Sequence, residues 1–152
     1  MISGSRLVLV SVVLAAALVA PSPALAVKSG RYKGTDISFR VKNDRISKVK
    51  VVLVYSCQTV GSGELPDGET RSLNVPGKTK VSSKGKFKRD VYIGSNNGVT
   101  DIFFNWKGRF RKGKGSATVQ SGYKYTKYDP VDGFRLVSCF NTTRLSATRK
   151  RG

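Results

Sequence analysis

The pattern of the chain is set in residues 37–57. In "DISFRVKNDRI" the apolar Ile37, Phe39 and Val41 alternate with Ser38, Arg40 and Lys42, and Asn43-Asp44 supplies a turn. The next run places Val49, Val51, Leu53, Tyr55 and Cys57 at every second position. A side-chain period of two belongs to a half-buried strand, so both runs predict strands with one apolar face, and Cys57 falls on it.

The alternation continues downstream, broken by Gly, Asn, Asp and Pro rather than by any helical period. Gln58 to Gly68 reads as a loop, and a strand is expected to resume near Arg71 and run to Val75. "GKFKRDVYI" puts Phe87 and Val91 on one side, and Ser95-Asn96-Asn97-Gly98 forms a turn. Ile102, Phe104, Trp106 and Phe110 then share a face. The chain reverses at Lys112-Gly113-Lys114 and returns with Ala117, Val119, Ser121 and Tyr123 facing the same way. "YTKYDPVDG" reads as a loop, and "FRLVSCF" and "TRLSATR" as two closing strands, with Val137, Cys139, Leu145 and Ala147 inward. The expectation is an all-β fold, a small antiparallel sandwich or barrel of about eight strands. A short echo, "GRYKG", "GKFKR" and "GRFRKG", marks three strand starts rather than a true repeat.

Residues 1–26 stand apart from this pattern. Arg6, the apolar stretch Leu7 to Ala20 and Ala24-Leu25-Ala26 have the three-part build of a secretory signal peptide, and the apolar stretch is too short for a bilayer-spanning helix. The domain is then expected over residues 27–152, one β domain without a transmembrane segment, secreted from the cell. Export changes the reading of Cys57 and Cys139. In an oxidising compartment the two pair as a disulfide.

Composition narrows the chemistry. The sequence contains no histidine, so the usual general base and the usual partner of a serine or cysteine nucleophile are missing. Two cysteines alone make a poor zinc site, and no cofactor or metal is expected. Glu64, Asp67, Glu69, Asp129 and Asp132 could supply a carboxylate pair, as in glycoside hydrolysis, but they sit in turn-forming contexts such as "PDG" and "DPVDG". A non-enzymatic protein is the expectation.

Charge points to a partner class. Past the signal, 27 basic side chains face nine acidic ones, a net +18. The densest stretch, "KGRFRKGKGSA", holds Lys107, Arg109, Arg111, Lys112 and Lys114 with no acid, and Lys86, Lys88 and Arg89 form a second cluster. These eight residues are the candidate anion-binding set. Outward lysines also protect sheet edges from pairing with other molecules. An exported surface this basic suits anionic cell-wall polymer or polysaccharide, with an acidic protein as the alternative partner, contacted through the stretch from Tyr123 to Gly133. Specific nucleic-acid recognition is not expected, because it needs side chains held against base edges or stacked aromatics. Tyr123, Tyr125 and Tyr128, interleaved with lysines, could stack on sugars or bases. Asn141-Thr142-Thr143 fits a glycosylation sequon, a weak signal by itself.

Several of these segments resemble a family. The run "GRYKG", then "ISFRV", then "VKVVLVYSC", the pair "FNWKGRFRKGKGSATV" and a second cysteine followed by "SATRK" are similar to small secreted, functionally uncharacterised β-rich proteins of actinobacterial type. The resemblance implies a compact disulfide-linked β domain of bacterial origin and implies no known activity.

Overall fold

A computed structural model describes residues 27–62, 67–96 and 99–150. The expected signal peptide at 1–26, Glu64, the turn residues Asn97 and Gly98, and Arg151 lie outside the described residues. All regular structure among those described is strand. In chain order the strands are β1 (Gly30–Lys33), β2 (Ile37–Lys42), β3 (Arg45–Thr59), β4 (Asp67–Val75), β5 (Thr79–Lys80), β6 (Lys86–Asn96), β7 (Val99–Arg111), β8 (Lys114–Asp129) and β9 (Gly133–Arg149). Among the described residues no helix is long and apolar enough to cross a membrane.

The strands form one antiparallel sheet in the order β4-β3-β2-β1-β9-β8-β7-β6, with β5 beside the start of β3. A second pairing, β3 with β9, joins strands distant in that order: Ser56 faces Phe140, Cys57 faces Cys139 and Thr59 faces Val137. Strand β9 therefore has β8 along one edge for its whole length, and on the other edge β3 near its start and β1 at its end. Where the β3 ladder stops, the Asn141 side chain takes over, Nδ2 donating to Val54 O at 2.6 Å. That contact holds the amide of the sequon residue against β3.

Alternation places the core as expected. Ile37, Phe39 and Val41, the set from Val49 to Cys57, Ile102, Phe104, Trp106 and Phe110, and Ala117, Val119, Ser121 and Tyr123 are all buried. Each large apolar side chain so enclosed contributes about 1.5–3 kcal/mol. The two ends of the sheet meet over this core. Phe39 on β2 lies 6.3 Å from Trp106 and 5.9 Å from Phe110 on β7, Phe87 on β6 lies 4.8 Å from Trp106, and Trp106 Nε1 donates to Thr79 Oγ1 on β5 at 3.2 Å. Gly108 sits where three strands crowd. A Cβ there would run into Ser116 O and stand 2.6 Å from Phe87 Cζ and 2.9 Å from Ala117 Cα.

Two tight turns set the hairpins that matter below. Asn43 and Asp44 (φ 49° and 53°) link β2 to β3, and Lys112 and Gly113 (φ 45° and 76°) link β7 to β8. Paired positive φ values match the right-handed strand twist, and Asn, Asp and Gly tolerate them best.

The expectations needed correction in several places. The all-β antiparallel fold is as expected, with nine strands in one sheet among the described residues where about eight were expected. Tyr125 to Asp129 is no loop but the end of β8, because each residue there pairs with β9 from Val137 to Gly133. The two closing strands are one, since β8 offers an unbroken ladder opposite Asn141 to Arg144. Gln58 and Thr59 belong to β3, and β4 begins at Asp67 rather than near Arg71. The third echo falls in mid-strand at Gly108, not at a strand start.

Cys57 and Cys139 form the expected disulfide, joining β3 to the last strand with Cα atoms 4.0 Å apart and a sequence separation of 82. Replacing both by alanine removes a constraint on the unfolded chain worth up to about 4.5 kcal/mol. Chemical denaturation of the double variant is expected to show that loss; a midpoint unchanged from the parent would contradict it. Gly108→Ala is expected to cost at least about 1–3 kcal/mol through overpacking, read in the same assay.

Candidate functional site

The outer face of β6 to β9 is built by register. Outward positions on these strands line up in rows perpendicular to the chain: Lys86 opposite Arg109 opposite Ser116 opposite Ser146, and one row further Lys88, Lys107, Thr118 and Arg144. Cations occupy the two flanks of this face and small hydroxyl side chains its floor. The result is an open groove of about 1200 Å³, whose lining includes Lys80, Lys86, Lys88, Lys107, Arg109, Lys114 and Arg144 and no carboxylate. Among these cations only Lys88 has an ion pair among the described residues, with Asp90 at 3.7 Å, and both partners are largely exposed.

Five of the eight candidate residues thus meet in the groove: Lys86, Lys88, Lys107, Arg109 and Lys114. The other three do not line it. Arg111 and Lys112 stand at the tip of the β7–β8 hairpin, exposed. Arg89, one residue from Lys88, occupies the opposite parity, and its guanidinium packs over Gly77, where a Cβ would lie 2.5 Å from Nη2. Proximity in sequence had grouped Arg89 with Lys88, but the strand period separates them. Lys80 and Arg144 were missing from the candidate set; β5 and β9 deliver them from distant sequence, and Arg144 was legible only as an outward position on the final strand.

A second concavity, about 690 Å³, lies on the β2–β3 hairpin and is lined by Arg40, Lys42, Asn43, Arg45, Ser47, Lys48 and Lys78, again without an acid. A β-bulge opposite Phe39 puts Lys48 at φ 52°. Bulges re-aim side chains.

Three carboxylates, Glu69, Asp129 and Asp132, are paired with arginines among the described residues. Asp129 and Asp132, in the β8–β9 turn, both pair with Arg135, and Asp129 Oδ1 also accepts the backbone N–H groups of Val131 and Asp132. Glu69 pairs with Arg71 at 2.6 Å. That pair belongs to a polar cluster beside the disulfide. The Arg71 guanidinium lies 4.4 Å from the centre of the Tyr123 ring, and the sulfur of Cys57 is 3.7 Å from the Tyr123 hydroxyl and 3.6 Å from Glu69 Oε2. The donor atoms of Cys57, Glu69 and Cys139 come within 4.8 Å of one another. Since the two sulfurs are bonded together, only the carboxylate is left as a ligand, and a metal needs more than that.

The tyrosines expected to stack divide. Tyr123 is buried, 4.8 Å from Tyr55 centre to centre; Tyr125 is half-buried and stacks on Tyr123; Tyr128 is exposed against Phe134. Ser121 Oγ donates to Phe103 O at 2.8 Å and accepts from the Tyr55 hydroxyl at 2.8 Å. Burial, then the hydrogen bond to Glu69, pushes the Tyr123 phenol well above its ordinary value, with Arg71 opposing. Burial likewise raises Tyr55.

These shifts fix an alkaline limit to stability. An unfolded chain releases tyrosine protons near pH 10, while folded Tyr123 and Tyr55 keep theirs, so above that pH the unfolded state binds fewer protons and stability falls as pH rises. The contribution is whole below about pH 10 and is lost on the way up through the folded-state values. In Tyr123→Phe the decline is expected to be shallower by up to about 1.4 kcal/mol per pH unit, measured by urea unfolding between about pH 9 and 11.5. A slope equal to the parent's would contradict the assignment. No known protein family, curated protein or solved structure matches this chain, so its function is argued from its own geometry.

Proposed function

We propose that this is a secreted, non-enzymatic β domain of bacterial origin, retained at the cell envelope or extracellular matrix by electrostatic binding to anionic polymers. The observation that carries the reading is the acid-free groove on β6–β9. Cross-strand like charges directly opposite one another are destabilising, and the register sets Lys86 against Arg109, Lys88 against Lys107 and Arg111 against Lys114. A bound polyanion relieves that repulsion. Density of charge, not a closed pocket, is what such binding requires. The non-enzymatic part rests on the absence of histidine and on the arginine partners of Glu69, Asp129 and Asp132. The exported setting rests on the signal-like residues 1–26 and on the disulfide.

A second reading, a module that binds an acidic protein, draws on the β8–β9 hairpin end. Tyr128, Val131 and Phe134 are 64%, 87% and 77% exposed there, and exposed aromatic anchors are favoured at protein interfaces. It predicts a partner whose capture is lost in Phe134→Ala.

Retention on an immobilised anionic polymer is expected to fall steeply as salt is raised, because exposed charges are screened beyond about 8–10 Å at physiological ionic strength. Retention indifferent to salt would remove the electrostatic reading. Lys107→Glu is expected to move two readouts in opposite directions. It turns a repulsion with Lys88 into an attraction, raising stability by about 0.2–1 kcal/mol, while it weakens retention. Loss of both, or of neither, would contradict the role given to the groove.

A further inference from the structure

The same outer face carries two further rows beside the cations. One residue pair along the strands from Lys88 and Lys107, the register aligns Asp90, Asn105, Gln120 and Thr142; the next row holds Tyr92, Phe103, Gly122 and Phe140. Tyr92 is 68% exposed and Phe140 50% exposed. The Phe103 ring crosses the bare backbone of Gly122, where a Cβ would stand 2.5 Å from its Cε1, and meets Phe140 with centres 6.2 Å apart. Glycine at 122 is what lets the two rings meet across the intervening strand.

We infer that this face is a platform for an acidic polysaccharide, a glycan whose sugar rings carry carboxylates. The inference rests on the anionic-polymer reading and names its ligand class. Strands lie about 4.8 Å apart, so the aromatic row spans about 14 Å from β6 to β9. That is an apolar strip long enough for a short run of sugar rings, whose C–H faces suit the negative faces of aromatic rings. Asn105, Gln120 and Thr142 then present amide and hydroxyl groups that both donate and accept, as vicinal sugar hydroxyls require. Two rows are about 13 Å from the aromatic strip to Lys107, four residues along β7, and there the cations take the carboxylates of sugar residues beyond those that stack. Asp90 in the amide row, paired with Lys88, can accept from sugar hydroxyls.

The test compares three soluble polymers at one ionic strength, with the whole oxidised protein: polygalacturonate, polyglutamate of equal charge, and single-stranded DNA. Polygalacturonate is expected to bind at least about tenfold tighter than polyglutamate, and Tyr92→Ala with Phe140→Ala to lose about tenfold toward polygalacturonate alone, the scale of one or two stacking contacts. In the unmodified protein, backbone amide shifts on adding polygalacturonate are expected at Tyr92, Phe103, Asn105 and Gln120, a readout that needs no variant to fold. Equal affinity for the two acidic polymers, with the aromatic variants silent, overturns the platform and leaves electrostatic retention standing. Aromatic-dependent binding of DNA in preference to polygalacturonate overturns it too. Failure to bind any polyanion overturns the reading on which it rests.

Discussion

The pairing of β3 with β9 decides the rest of the molecule. At that seam a ladder contact and a covalent bond join the same two residues, Cys57 and Cys139, and β9 is thereby committed to face the core with Val137, Cys139, Leu145 and Ala147. A one-residue slip would turn all four to solvent and every outward residue to the core. Because β8 pairs with β9 for its whole length and β7 and β6 follow, the composition of the outer face is inherited from that single choice. The cations meet in rows because the apolar residues between them have nowhere else to go.

The surface so built trades stability for attraction. Opposed lysines and arginines on neighbouring strands repel, yet the core beneath them is dense with aromatic contacts, Tyr32, Phe39, Phe87, Trp106 and Phe110 touching in turn. Such pairs add about 0.5–1.5 kcal/mol each beyond their buried area, against about 0.2–1 kcal/mol for a cross-strand like-charge pair. The fold can therefore tolerate a face of opposed cations. Glu69, Asp129 and Asp132 hold arginines at the disulfide and in the β8–β9 turn, while Asp90 pairs with Lys88 at the groove.

Much of this was legible in the sequence where a buried face imposes the period of two. Residues 37–41, 49–57, 102–110 and 117–123 declare their inner faces through alternation, and Cys57 announced its side by position alone. The reading failed where pairing, not burial, sustains a strand. "YTKYD" has no apolar alternation, yet it continues β8 because β9 runs beside it; Asn141 and Thr143 are polar at inward positions because β3 departs there. For the candidate site, strand parity already separated Arg89 from Lys86 and Lys88, and it already turned Phe140 outward. What no single strand could reveal was the register that brings Lys80 and Arg144 to the groove and sets Phe103 over Gly122 beside Phe140.

The most direct measurement is an amine-acetylation footprint of the oxidised protein, read by mass spectrometry with and without a soluble anionic polymer. The account predicts that Lys86, Lys88, Lys107 and Lys114 become protected while Lys50 and Lys127, exposed elsewhere on the surface, keep their reactivity. Uniform protection of all lysines, or protection that spares the groove, would contradict it.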